Sequence, residues 1–160
     1  LGLGAPSEVE FVRDLEAFCK SAEGKQAVGA RSLYLLRNAA SEDKGLGFAL
    51  AGNFYPDFLL WLVDDATGQQ WLTFVDPKGL LHIDLNHPKL GLYKSVKTLE
   101  ADLLKLGEPP LVLNAFILSP TKFADLLNHG NAKAELEGRH VLFMEDGGSN
   151  YLKKMFAVLA

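Results

Sequence analysis

Apolar positions recur along the chain with two different periods, and the switches between them mark out the elements. Phe11, Val12, Leu15, Phe18, Cys19 and Ala22 fall at helical intervals. Ser7 and Glu10 ahead of them have the spacing of a capping box. A first helix is therefore expected to run to about Ala22 and to stop at Gly24. Ser32 to Arg37, Phe58 to Val63 and Trp71 to Val75 are short and apolar, and read as strands. Asp64 to Gln70 is turn-forming, so the last two strands make a hairpin. Asn38 to Gly47 is polar and reads as a loop, and Gly79 and Pro88 mark another. Leu92, Val96, Leu99, Leu103 and Leu106 give a second amphipathic helix, closed by Gly107 and Pro109-Pro110. Leu111 to Leu118 follows as a strand, Thr121 to Asn128 as a short helix ended near Gly130, His140 to Met144 as a last strand and Tyr151 to Leu159 as a closing helix. That order predicts an α/β fold, a mixed central sheet with helices on both faces.

Composition narrows the class. The chain has 160 residues, 48% of them hydrophobic and 22% charged, which predicts one globular domain over Ser7–Ala160 with a sizeable core. The single cysteine, Cys19, leaves no internal disulfide framework and points to a reducing, cytoplasmic setting. No apolar run approaches the roughly 18 residues needed to cross a bilayer. Leu1 to Pro6 has no basic region ahead of an apolar one, so it does not read as a signal peptide. With no initiator Met, it reads as a linker remnant of something longer. The formal net charge of −4 argues against holding nucleic acid by bulk charge alone.

The chemistry concentrates at the open end of the hairpin. Asp57 and Asp76 are equidistant from a turn centred between Ala66 and Thr67, so antiparallel pairing sets them opposite each other. Directly opposed residues have Cβ atoms about 4.5–5.5 Å apart, and two carboxylates at that distance repel unless a cation lies between them. Mg²⁺ is typically held by one or two carboxylates plus waters and phosphate oxygens. Lys78 lies two residues beyond Asp76, on the same face of an extended chain. Two acids and a lysine there suit metal-assisted phosphodiester hydrolysis. The structural alternative is a strand that starts at Pro-Asp and a plain turn at Asp-Pro-Lys-Gly.

Pro56-Asp57 followed by Asp76-Pro77-Lys78 resembles the PD-(D/E)XK nuclease pattern. The wording around it, Leu33-Tyr34-Leu35-Leu36-Arg37-Asn38, Gly47-Phe48, Phe54-Tyr55-Pro56-Asp57-Phe58 and Asp76-Pro77-Lys78-Gly79-Leu80, is similar to the C-terminal nuclease region of type III restriction enzymes and related DEAD/DEAH-type helicase-nucleases. The resemblance covers Ser7 to Leu106 and fades from Leu111 onward. It implies a restriction-endonuclease-like αβββαβ core, a DNA substrate and a Mg²⁺ or Mn²⁺ ion on Asp57 and Asp76, with the Pro77 carbonyl as a further ligand. It implies Lys78 as the residue that assists the attacking water. It also implies an ATP-driven helicase or translocase domain in the same full-length protein, and partnership with a modification subunit. The chain itself has no GxxxxGK[ST] loop, so ATP enters only through such a motor.

The same family places an acid on its first helix. Glu8 falls in the middle of the helix's apolar face and is the expected residue, to orient the site or a second metal; Glu10 points the other way. A first-turn acid favoured by the helix dipole is the bland reading of Glu8. Lys94, Lys97, Lys153 and Lys154 read as solvated surface rather than phosphate contacts. His82 and His87 lack zinc spacing and read as loop histidines. Arg37 matches the family's wording or pairs with a nearby acid, and Trp61 and Trp71 read as packing beside the hairpin turn. Gly45-Leu46-Gly47 is too short for a phosphate loop, and Cys19 has no histidine to activate it. Two readings of different class result. One is a metal-dependent DNA endonuclease domain. The other is a non-catalytic nuclease-fold module that binds DNA or a neighbouring helicase domain. A plain structural domain is the third.

Overall fold

The computed structural model describes residues 4–38, 55–81, 86–107, 109–126 and 132–160. The elements run α1 (Pro6–Lys20), α2 (Ala22–Val28), β1 (Ser32–Arg37), β2 (Phe58–Val63), β3 (Gln70–Pro77), α3 (Leu92–Lys105), β4 (Leu111–Ser119), α4 (Lys133–Gly138), β5 (Val141–Phe143) and α5 (Gly148–Val158). The strands form one mixed five-stranded sheet in the order β1-β2-β3-β4-β5, with β1–β2 and β2–β3 antiparallel and β4–β5 parallel. The fold is α/β, a mixed sheet flanked by helices. No helix among the described residues is long and apolar enough to cross a membrane.

The chain divides into two compact units. The first is Leu1–Gly29, Pro77–Asp84 and Ile117–Ala160; the second is Ala30–Asp76 and Leu85–Phe116.

In the second unit the hairpin is closed by the sequence itself. Asp64 Oδ1 accepts from the Ala66 and Thr67 amides at 2.9 and 3.3 Å, Gly68 takes φ 74°, and Asp64 N–H donates to Gln69 O at 2.9 Å. Those amides, with the Thr67 hydroxyl, hold the Asp64 carboxyl below its usual range. The turn sets the register: Val63 pairs with Gln70 and Phe58 with Val75. Side chains alternate faces along a strand. Leu72 and Phe74 of β3 thus share a face with Leu59 and Trp61 of β2. With Leu113 and Ala115 of β4 they bury against Leu92 and Val96 of α3, and Leu99 and Leu103 extend the same stripe. This is the expected amphipathic helix, with each fully buried side chain stabilising by about 1.5–3 kcal/mol.

In the first unit α1, α2 and α5 pack together, with the Phe18 and Phe156 rings 5.2 Å apart. Two expectations for α1 are corrected here. Its N-cap is Ala5, with no side-chain cap bond, and Pro6 takes the first helical position, so Ser7 and Glu10 form no capping box. The helix also stops at Ser21 rather than Gly24. Ser21 takes ψ 160°, donates its hydroxyl to Phe18 O at 2.6 Å and caps α2 by accepting from Gly24 N at 3.0 Å. Gly24 therefore lies in the first turn of a helix instead of ending one. The helix expected over Thr121–Asn128 is only a 3-10 turn, Phe123–Asp125, as far as the described residues reach. Helix α4 was not expected; its single buried residue, Leu136, gives no periodic signal.

Candidate metal centre

The Asp57 backbone is fixed from the β1 side, because Asn38 N–H donates to Asp57 O at 2.8 Å, one step beyond the Arg37–Phe58 pair. The β2–β3 pairing ends at Phe58–Val75, so Asp57 and Asp76 each lie one residue beyond the last paired residues, at the open end of the hairpin. The two differ in environment. Asp57 is half-buried, whereas Asp76 is 2% exposed.

Asp76 Oδ2 is buried and has no hydrogen-bond donor among the described residues. Its charge partner is Lys89 Nζ at 3.7 Å, an ion pair too long for a hydrogen bond. A buried carboxylate oxygen left in that state is costly. Lys89 belongs to a 3-10 turn, Pro88–Gly91, that leads into α3. His87 caps that turn, its Nδ1 accepting from Lys89 N–H at 3.2 Å, which gives the loop histidine a structural task.

The orphaned oxygen, with a second acid at the same end of the hairpin, fits a hard divalent cation of the Mg²⁺ type. That ion accepts one or two carboxylates and keeps several waters. No three His, Cys, Asp or Glu side chains gather as a metal-holding group among the described residues. Any ion held here would therefore complete its shell with water, backbone oxygen or substrate.

The other expected site residues belong to the first unit. Pro77 is buried at the end of β3, and its carbonyl receives the Ser7 hydroxyl at a long 3.5 Å. Lys78 follows with an exposed side chain, and its backbone N–H is spent on Leu118 O at 3.0 Å. Glu8 is 7% exposed on the α1 face shared by Phe11, Leu15 and Phe18, and Glu10 is exposed. Glu8 thus lies on the apolar face of α1, as its helical position predicted, and Glu10 does not. Glu8 Oε2 accepts from the Gly4 amide at 3.3 Å.

The remaining candidates take ordinary roles. Lys97 pairs with Glu100, Lys153 with Glu23, and Lys154 with Glu137 and Asp146. Lys94 lies 5.5 Å from the Tyr93 ring centre. Trp61 donates to Gln70, and Arg31 stacks on Trp71 at 4.6 Å. Arg37 is exposed at the end of β1. Burial raises the Cys19 thiol, which opposes a nucleophilic role. Gly45-Leu46-Gly47, Gly47-Phe48, Phe54 and His82 lie outside the described residues.

Sequence reasoning missed Lys89. Its only signal was a lysine at a loop-to-helix junction after the acid motif, and that is too common a feature to single out.

What the fold and site define is an α/β protein with two acids at one hairpin end, one of which has a buried oxygen without a hydrogen-bond donor among the described residues. Neither a scan of family models nor searches of curated proteins and solved structures found a match to the chain.

Proposed function

We propose that the chain is a metal-dependent DNA endonuclease domain of the PD-(D/E)XK type, the cleavage module of a larger restriction or helicase-nuclease protein. The observation that carries this reading is the buried Asp76, whose Oδ2 has no hydrogen-bond donor among the described residues, at the same open end of the hairpin as Asp57. Asp57 and Asp76 would hold Mg²⁺ or Mn²⁺, with the Pro77 carbonyl as a further ligand. The ion would supply Lewis-acid stabilisation of phosphate charge and acidify a water. Lys78, two residues past Asp76 in the chain, is assigned to orient the attacking water. Glu8 is assigned to position the site or a second ion. The water oxygen would attack phosphorus in line and give up a proton to solvent, the bond to the 3′ oxygen would break, and that oxygen would take up a proton from solvent. The partners in this reading are DNA, an ATP-driven motor domain and a modification subunit. Delivery by such a motor suits a net charge of −4.

The competing reading, a non-catalytic module that binds DNA or a helicase domain, draws on the Asp76–Lys89 ion pair, which serves structure alone as well. The test is cleavage of DNA with Mg²⁺ or Mn²⁺ by the parent chain and by Asp57→Ala, Asp76→Ala and Lys78→Ala. Metal-dependent cleavage that falls at least about 100-fold in each variant is expected, the size seen when a group that stabilises transition-state charge is removed. Absence of cleavage by the full-length protein supplied with ATP overturns the enzyme reading.

A further inference from the structure

Lys78 has a counterpart on the neighbouring strand. Most described lysines are spent on acids, as Lys20 is on Glu16 and Lys105 on Asp102. Lys78 and Lys122 are exposed and make no ion pair among the described residues. Both belong to the first unit. Lys78 directly follows β3, and Lys122 lies three residues past the end of β4. The two exits are stitched together. Lys78 N–H donates to Leu118 O at 3.0 Å, and Leu80 N–H donates to Thr121 Oγ1 at 3.2 Å. Ser119, which has no exposed surface, donates its hydroxyl to Thr121 O at 2.8 Å. Beyond Lys122, Phe123 N–H donates to Glu145 Oε1 at 3.1 Å, and the Phe123 ring meets Phe143 edge-on at 5.7 Å. Asp125 N–H donates to Lys122 O at 3.0 Å. The Lys122 backbone is thus held from both sides while its ammonium is left to solvent. A held backbone lowers the ordering cost of gripping an anion. The acids that follow β5 are already engaged, Glu145 by the Phe123 amide and Asp146 by Lys133 and Lys154. Asp125 is exposed, where water screens it.

We propose that Lys122 is a substrate-binding residue that holds a DNA backbone phosphate next to the one Lys78 serves. The inference rests on the nuclease reading above and adds to it where the substrate strand lies. Neighbouring strands of a sheet are about 4.7–4.9 Å apart, and β3 and β4 are neighbours. Phosphates recur about every 3.4 Å of helix axis along one DNA strand. Two flexible lysine stems leaving adjacent strands therefore match successive phosphates. An ammonium is a point charge that reads no base edge. Lys122 accordingly adds affinity and register on the backbone, without sequence preference.

The experiment measures binding of two DNA duplexes of unrelated sequence to the 160-residue chain, with Ca²⁺ present, from about 50 to 200 mM salt. The variants are Lys122→Ala, Lys122→Arg and Lys25→Ala, the last an exposed lysine on α2 with no ion pair among the described residues. Lys122→Ala should weaken binding severalfold on both duplexes and make the plot of log affinity against log salt shallower by about 0.9. Lys122→Arg should restore both, and Lys25→Ala should change neither. The melting temperature of Lys122→Ala should equal the parent's, because the ammonium has no ion pair to lose. Binding by the parent that Lys122→Ala leaves unchanged overturns the contact and leaves the nuclease reading standing. An equal loss in Lys25→Ala overturns it too, since any surface cation would then serve. Loss on one duplex alone overturns a backbone contact. Absence of binding by the parent at the lowest salt overturns the contact, and the cleavage test above then decides the enzyme reading by itself.

Discussion

Tyr151 has no exposed surface, and its hydroxyl donates to Asp14 Oδ2 at 2.6 Å. Burial first, then that hydrogen bond and the nearby acids, push its ionisation well above the ordinary tyrosine range. A group whose folded-state pKa is raised contributes stability that is complete below its unfolded pKa, about 10 for tyrosine, and is lost as pH climbs past it. Tyr151→Phe should therefore cost about 1.5–3 kcal/mol at neutral pH, the usual worth of a hydrogen bond to a charged group. The gap from the parent should close between about pH 10 and 12. Denaturant unfolding of both proteins across that range checks it, and a gap that widens with pH would contradict it. Asp76 is the opposite case, a buried polar group with an oxygen unmet. The contrast shows how much of the candidate site was legible. Asp57 and Asp76 could be found because a hairpin turn fixes which residues face each other. Lys89 could not, because what pairs it with Asp76 is a tertiary turn that no periodicity announces.

At the scale of elements, strands were read closely and helix ends poorly. The limits of β1 and β2 agree with the expected ones, because the short apolar runs Leu33–Leu36 and Phe58–Val63, each bounded by polar residues, leave little choice of end. The junction of α1 and α2 was misread because apolar periodicity continues through Ser21, while the break depends on where the chain turns back. Gly24 records that turn. A Cβ there would lie 1.8 Å from Phe18 O and 2.4 Å from Phe18 C, both backbone atoms that cannot move aside. Helix propensity alone says that Gly24→Ala should stabilise by about 1 kcal/mol. The overlap is far larger than any real contact, so the overpacking cost prevails. The variant should lose about 3 kcal/mol, read as a lower melting temperature than the parent's. A raised melting temperature would mean that α2 does not approach α1 so closely.

For the molecule as a whole, α5 is the piece whose removal should be felt most. Tyr151, Leu152, Met155, Phe156 and Leu159 are all 2% exposed or less. At about 1.5–3 kcal/mol each their burial is worth on the order of 10 kcal/mol, as much as the whole stability of an ordinary domain. A chain ending at Asp146 should lose cooperative unfolding in the first unit and bind a hydrophobic dye. A sharp thermal transition with no dye binding would show that α1 and α2 are held by other contacts. The pairing of α1 with α5 also sets a clock on biosynthesis. Asp14 and Tyr151 are 137 residues apart. A ribosome adding roughly 5–20 residues per second needs on the order of ten seconds to pass from one to the other. The whole of Ala30–Asp76 and Leu85–Phe116 emerges in that interval, so the nascent chain carries the apolar stripe of α1 without α5 until Tyr151 and its neighbours are added. For those seconds the part of the α1 stripe that α5 will cover, Phe18 of the Phe18–Phe156 pair included, is what a chaperone, or another unfinished chain, would meet.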